Sequence, residues 1–72
     1  MYDSFYKLIG KNIKKKRKEC HLTQQELADK IGISLNFMGK IEVAFSRPSL
    51  DTLISVANAL EVSVSELCNF NK

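Results

Sequence analysis

The sequence predicts an all-α domain of five short helices, the second and third meeting across a tight turn. Three observations carry this. Apolar residues recur at spacings of three and four along most of the chain, and no alternating, strand-like segment competes. Thr23 with Glu26 and Ser63 with Glu66 each have the capping-box spacing, in which two residues satisfy each other's orphan backbone N–H groups. Gly32 sits between two helical patterns, where a helix stops with a positive φ.

The first helix is expected over about residues 4–19, with Phe5, Leu8, Ile9, Ile13 and Cys20 as its inner stripe. The second opens at Thr23 and carries Leu27, Ala28 and Ile31. Ser34 can cap the third, whose inner side holds Met38 and Ile41. Helices this short joined by so tight a turn cross steeply, which makes residues 23–43 a helix-turn-helix. Ala28 is small where the crossing needs close approach. Pro48-Ser49 opens a fourth helix with the stripe Leu50, Leu53, Ile54, Ala57 and Leu60. Ser63 starts a short fifth helix through Val64 and Leu67, and the tail 69–72 is expected to fray.

Seventy-two residues with 44% apolar content suit one small domain, taken as 1–72, rather than a disordered chain. No apolar run approaches the ~20 residues that a membrane helix needs. No signal-peptide core is visible, so a cytoplasmic location is expected and no membrane partner. In that compartment Cys20 and Cys68 are expected as reduced thiols. Cys20-His21 makes no metal site, because adjacent side chains on a helix do not face each other and no further ligand is spaced nearby. His21 is the only histidine, and it has no nucleophile–base arrangement around it. No enzyme, cofactor, metal or small-molecule ligand is implied.

The net charge is +3, and residues 1–18 hold seven of the eleven basic side chains. A basic face favours a polyanionic partner. Lys14, Lys15, Lys16 and Lys18 point in different directions around a helix, so this run reads as a solvated face with one or two side chains near phosphate.

The segments Leu22-Thr23-Gln24-Gln25-Glu26-Leu27-Ala28, Ile41-Glu42, Pro48-Ser49-Leu50, Ala57-Asn58-Ala59-Leu60 and Val62-Ser63-Val64-Ser65-Glu66-Leu67 stand in order along the chain. Together, from about Ile9 to Leu67, they resemble the helix-turn-helix regulators of the lambda-repressor and Cro type, also called the xenobiotic-response-element family. Three positions depart from that pattern. His21, Ala44 and Glu61 stand where the family often has glycine, so these corners are expected to be strained or differently shaped.

The resemblance implies a five-helix domain that binds double-stranded DNA, as a prokaryotic or phage-type transcriptional regulator. It implies a repressor acting as a homodimer on a palindromic operator. By residue-by-residue resemblance the base-facing positions are Leu35, Asn36 and Lys40. Asn can pair with adenine N6 and N7, Lys can donate to guanine O6 and N7, and Leu can meet a thymine methyl. Gln24, at the start of the second helix, and Ser46 and Arg47, after the third, are the expected phosphate contacts. Arg17 and Glu42 are expected to form an ion pair that ties the recognition helix to the scaffold.

Phe37 is expected to pack over the second helix. Phe45, Val62, Val64 and Phe70 are candidates for an apolar patch, at a dimer surface or within the monomer. A reading from another class remains beside this one. The same helices could dock a toxin or a larger regulator, with Leu35, Phe37 and Met38 facing a protein groove.

Overall fold

The computed structural model describes residues 3–69, and five helices are present among them: α1 Asp3–Glu19, α2 Gln24–Ile31, α3 Leu35–Glu42, α4 Leu50–Leu60 and α5 Val64–Leu67. Phe70 and the end of the tail lie outside the described residues.

Every helix after the first begins on a side-chain cap. Glu26 N–H donates to Thr23 Oγ1 at 3.0 Å, and Thr23 N–H donates back to Glu26 Oε1 at 2.8 Å. Ser63 and Glu66 repeat the exchange at 3.1 and 3.0 Å. Ser34 accepts from Phe37 N–H at 3.0 Å, and Ser49 from Thr52 N–H at 3.1 Å. Caps of this kind contribute about 1 kcal/mol each. They matter most for helices of 4 to 11 residues, which have little intrinsic stability.

The ends of α1, α2, α3 and α4 share one geometry. Gly32, His21, Ala44 and Glu61 all take left-handed conformations, with φ of 76°, 60°, 63° and 59°. The residue after each donates its N–H to a carbonyl five positions back: Leu22 to Arg17, Ile33 to Ala28, Phe45 to Lys40 and Val62 to Ala57. The three non-glycine corners therefore follow the glycine path and bear its strain, because packing on either side dictates where the chain must turn. Ala44→Gly and Glu61→Gly are each expected to leave stability unchanged or raise it by up to about 1 kcal/mol. Relief of the left-handed Cβ opposes the extra freedom of glycine in the unfolded chain. Urea unfolding measures the balance, and a clear loss of stability in both variants would contradict it.

Each helix supplies side chains to one core: Ile9 and Ile13 from α1, Leu27 and Ala28 from α2, Met38 and Ile41 from α3, Leu53, Val56, Ala57 and Leu60 from α4, and Leu67 from α5. Phe37, Val62 and Val64 are half-buried against it. The inner faces of α1 and α4 differ from the sequence expectation. Phe5 and Cys20 are exposed. Tyr6 packs against the core in place of Phe5, and Arg17 continues the stripe beyond Ile13. On α4, Leu50 and Ile54 face outward and Val56 is buried. Apolar residues surround much of α4, so several faces are nearly equal by periodicity, and contact with α2 and α5 selects one.

Polar and close backbone contacts also hold α1 on the bundle. Asn12 Nδ2 donates to the Leu67 carbonyl at 2.8 Å and to that of Asn69 at 3.1 Å, closing the end of α5. Asn69, the first residue of the expected frayed tail, is thus held. On another side of α1, Gly10 lies against the end of α3. A Cβ there would stand 2.5 Å from the Glu42 carbonyl oxygen and 2.7 Å from that of Ile41.

Candidate nucleic-acid interface

The loop between α2 and α3 has only Gly32, Ile33 and Ser34. It sets α3 across α2, so that one side of α3 is buried through Met38 and Ile41 while Leu35 and Asn36 are exposed. Residues 35, 36, 39, 40 and 43 follow one another at helical spacing along this outer face. Gln24, Leu35, Asn36, Gly39, Lys40, Val43 and Phe45 line a single open concavity. Three base-facing candidates and one phosphate candidate are thereby brought together on one surface. Ser46 and Arg47 lie in the loop beyond it, with the Arg47 guanidinium 4.9 Å above the Tyr6 ring.

Val43 and Phe45 were not among the sequence-predicted site residues. Val43 is 72% exposed and Phe45 77%. Helical phase from Leu35 could have found Val43. Phe45 lies past the helix end, where phase no longer applies. Its ring lies below the Lys40 ammonium, 5.5 Å from centroid to Nζ. That contact biases Lys40 toward the C-terminal end of the concavity, although an exposed cation–π pair is worth only about 0.5–1 kcal/mol.

Behind this surface sits a polar anchor. Arg17 Nε donates to Glu42 Oε2 at 2.7 Å and Nη2 to Oε1 at 3.2 Å, a bidentate pair between α1 and the last residue of α3. Arg17 Nη1 reaches the Leu22 carbonyl at 2.7 Å, and Gln24 Nε2 donates to Glu42 Oε1 at 2.9 Å. The two charged side chains are 8% and 1% exposed. One carboxylate thus joins α1, the start of α2 and the end of α3. In the same stroke it spends one amide hydrogen of Gln24, whose Oε1 lies toward Gly39.

Both cysteines are free thiols, and no group of three metal-ligating side chains occurs among the described residues. No described helix is long and apolar enough to cross a membrane.

A family model described as helix-turn-helix matches residues 13–67. The chain is 40% identical over 60 residues to the transcriptional repressor RstR of the cryptic phage CTXphi in Vibrio cholerae, a match covering 83% of this chain and 54% of that protein. It is 44% identical over 59 residues to the immunity repressor of Bacillus phage phi105, covering 82% of this chain and 41% of the relative. The chain thus spans about half the length of such curated relatives. Among solved structures, SinR, a master regulator for biofilm formation crystallised in complex with DNA, superposes with a TM-score of 0.80 at 37% identity, over 85% of this chain and 98% of that one.

Proposed function

The chain belongs to the helix-turn-helix family, and from that premise we propose that it binds double-stranded DNA sequence-specifically and represses transcription. It works in the cytoplasm, by occupying an operator rather than by catalysis. The observation that carries this is the concavity in which Gln24, Leu35, Asn36 and Lys40 meet on the outer face of α3. An α-helix presented this way fits the major groove with its first residues at the base edges. Asn36 offers the donor–acceptor pair that matches adenine, Lys40 a donor for guanine, and Leu35 an apolar contact for thymine. Gln24 keeps one amide hydrogen for a phosphate at the N-terminus of α2. Ser46 and Arg47 take phosphates of the same half-site.

One recognition helix reads too few base pairs for a unique genomic address. The protein therefore acts as a homodimer, on half-sites roughly 34–36 Å apart. RstR and the phi105 protein are named as repressors, and SinR was crystallised in complex with DNA, which supports reading this chain as a DNA-binding repressor.

Selection of bound sites from random duplexes tests the proposal, with a palindromic consensus as the expected result. On that consensus, Asn36→Ala and Lys40→Ala are each expected to weaken binding by about 1–3 kcal/mol, with a smaller loss on random duplex. Equal losses on both duplexes would remove these side chains from base reading. Full-affinity binding of one protomer to an isolated half-site, seen by sedimentation, would refute the dimer.

A further inference from the structure

Seen along the whole of α1, its lysines are more ordered than the cluster around Arg17 suggests. Lys7, Lys11, Lys14 and Lys18 are spaced by four, three and four residues, and all four are exposed. That spacing places them on one face of the helix. The row is roughly 16 Å long at 1.5 Å per residue.

The surroundings of α1 give this face a direction. Lys7 and Lys11 line a concavity with Glu42 and Val43, at the end of the recognition helix. Gly10, between them in sequence, is the point where α1 touches the last carbonyls of α3. Arg17, one residue from Lys18, reaches Glu42 and the Leu22 carbonyl just before α2. The row therefore runs beside the C-terminal end of α3 and toward the start of α2, the two helix ends that border the candidate DNA surface. Lys15 and Lys16 lie elsewhere, in a concavity with Asn12, Glu66 and Asn69 beside α5, and Lys16 pairs with Glu19 at 3.4 Å.

We propose that Lys7, Lys11, Lys14 and Lys18 form a phosphate-binding stripe, which follows the DNA backbone flanking the groove that α3 enters. The inference rests on the DNA-binding reading above and adds a second contact surface to it, supplied by the first helix. Duplex DNA rises about 3.4 Å per phosphate along its axis and each strand also winds around that axis, so the stripe spans only a few successive phosphates, fewer than about five. Exposed lysines on flexible stems suit phosphate as point charges, without the geometry needed to read bases. The stripe thus adds affinity and salt dependence but no sequence preference.

The test compares three double variants, each of which removes two charges: Lys7→Gln/Lys11→Gln, Lys14→Gln/Lys18→Gln and Lys15→Gln/Lys16→Gln. Affinity for a selected operator and for a random duplex is measured across a salt series. Each stripe pair is expected to make the slope of log K against log salt shallower by about 1.8, or about 0.9 per lost phosphate contact. Operator and random duplex should lose affinity by the same factor. The Lys15/Lys16 pair is expected to change the slope by well under half as much. Equal slope changes in all three variants would overturn the stripe in favour of general net charge, and unchanged slopes in the stripe variants would overturn it outright. Failure of the native protein to bind any duplex would instead overturn the DNA-binding reading.

Discussion

Glu42→Ala is expected to destabilise the domain by about 3–5 kcal/mol, the usual consequence of leaving one member of a buried ion pair without its partner. Arg17 would keep its Leu22 carbonyl but lose both carboxylate contacts, in a site where the residue is only 6% exposed. Gln24 would lose its acceptor as well. Arg17→Ala should cost a similar amount, because it strands the carboxylate. A chain of this size has a total stability of roughly 4–11 kcal/mol, so either variant should remove a large share of it. Lys14→Ala, Lys15→Ala and Lys18→Ala, all exposed, should change stability far less. A double-mutant cycle on urea unfolding decides the matter. Two large single losses with strong coupling are the expected result, and a coupling energy near zero would contradict the pair. The cycle also separates the pair from simple packing, because replacing both charges with apolar side chains of similar volume should recover much of the lost stability.

Gly10→Ala is the second change expected to act strongly, by about 2–3 kcal/mol of destabilisation. Two effects oppose each other. Alanine is the better helix former by about 1 kcal/mol. Its Cβ, however, would meet the Glu42 carbonyl oxygen at 2.5 Å, the Ile41 carbonyl oxygen at 2.7 Å and the Glu42 carbonyl carbon at 2.9 Å. All three are backbone atoms, so no side chain can swing aside, and α1 and α3 must separate. Separation would also pull on the Arg17–Glu42 pair, which spans the same two helices. The contact term is therefore expected to exceed the propensity gain. Chemical denaturation of Gly10→Ala beside an exposed alanine variant such as Lys15→Ala measures the balance. A stabilised Gly10→Ala would mean that helix propensity wins and that the two helices can part at little cost.

Local chemistry made much of the molecule legible in advance. Caps at Thr23, Ser34, Ser49 and Ser63 are encoded within four residues of each helix start, and the helices begin just after them. The short link through Gly32 leaves two brief helices no choice but to cross; the outward positions of Leu35 and Asn36 were implied by the family resemblance, and both residues are exposed. The departures at His21, Ala44 and Glu61 were visible too, but their consequence was not. Without glycine a corner can either keep the left-handed turn or reshape. Only the packing on both sides, which fixes where each following helix must start, shows that the turn is kept.

Features that depend on phase or on proximity between distant segments were decided by the tertiary structure. Periodicity says that α4 has an apolar face, but its apolar residues extend too far around the helix to say which face is inner. Contact with its neighbours buries Val56 and leaves Leu50 and Ile54 outside. Phe5 and Tyr6 exchanged roles for the same reason. Gly10 reads in the sequence as a weakness in a helix, and becomes the closest approach of two helices only when the Ile41 and Glu42 carbonyls stand against it. The lysines of α1 could be counted at once, but the run at Lys14, Lys15, Lys16 and Lys18 read as pointing in different directions, and the row that includes Lys7 and Lys11 was not part of that reading. Which side of the molecule that row looks toward is a relation between α1, α3 and α5. The sequence by itself determined the helices and their caps, because those depend on residues a turn or two apart. The inner faces, the anchor on Glu42 and the orientation of α1 were settled only when all five helices competed for one small core.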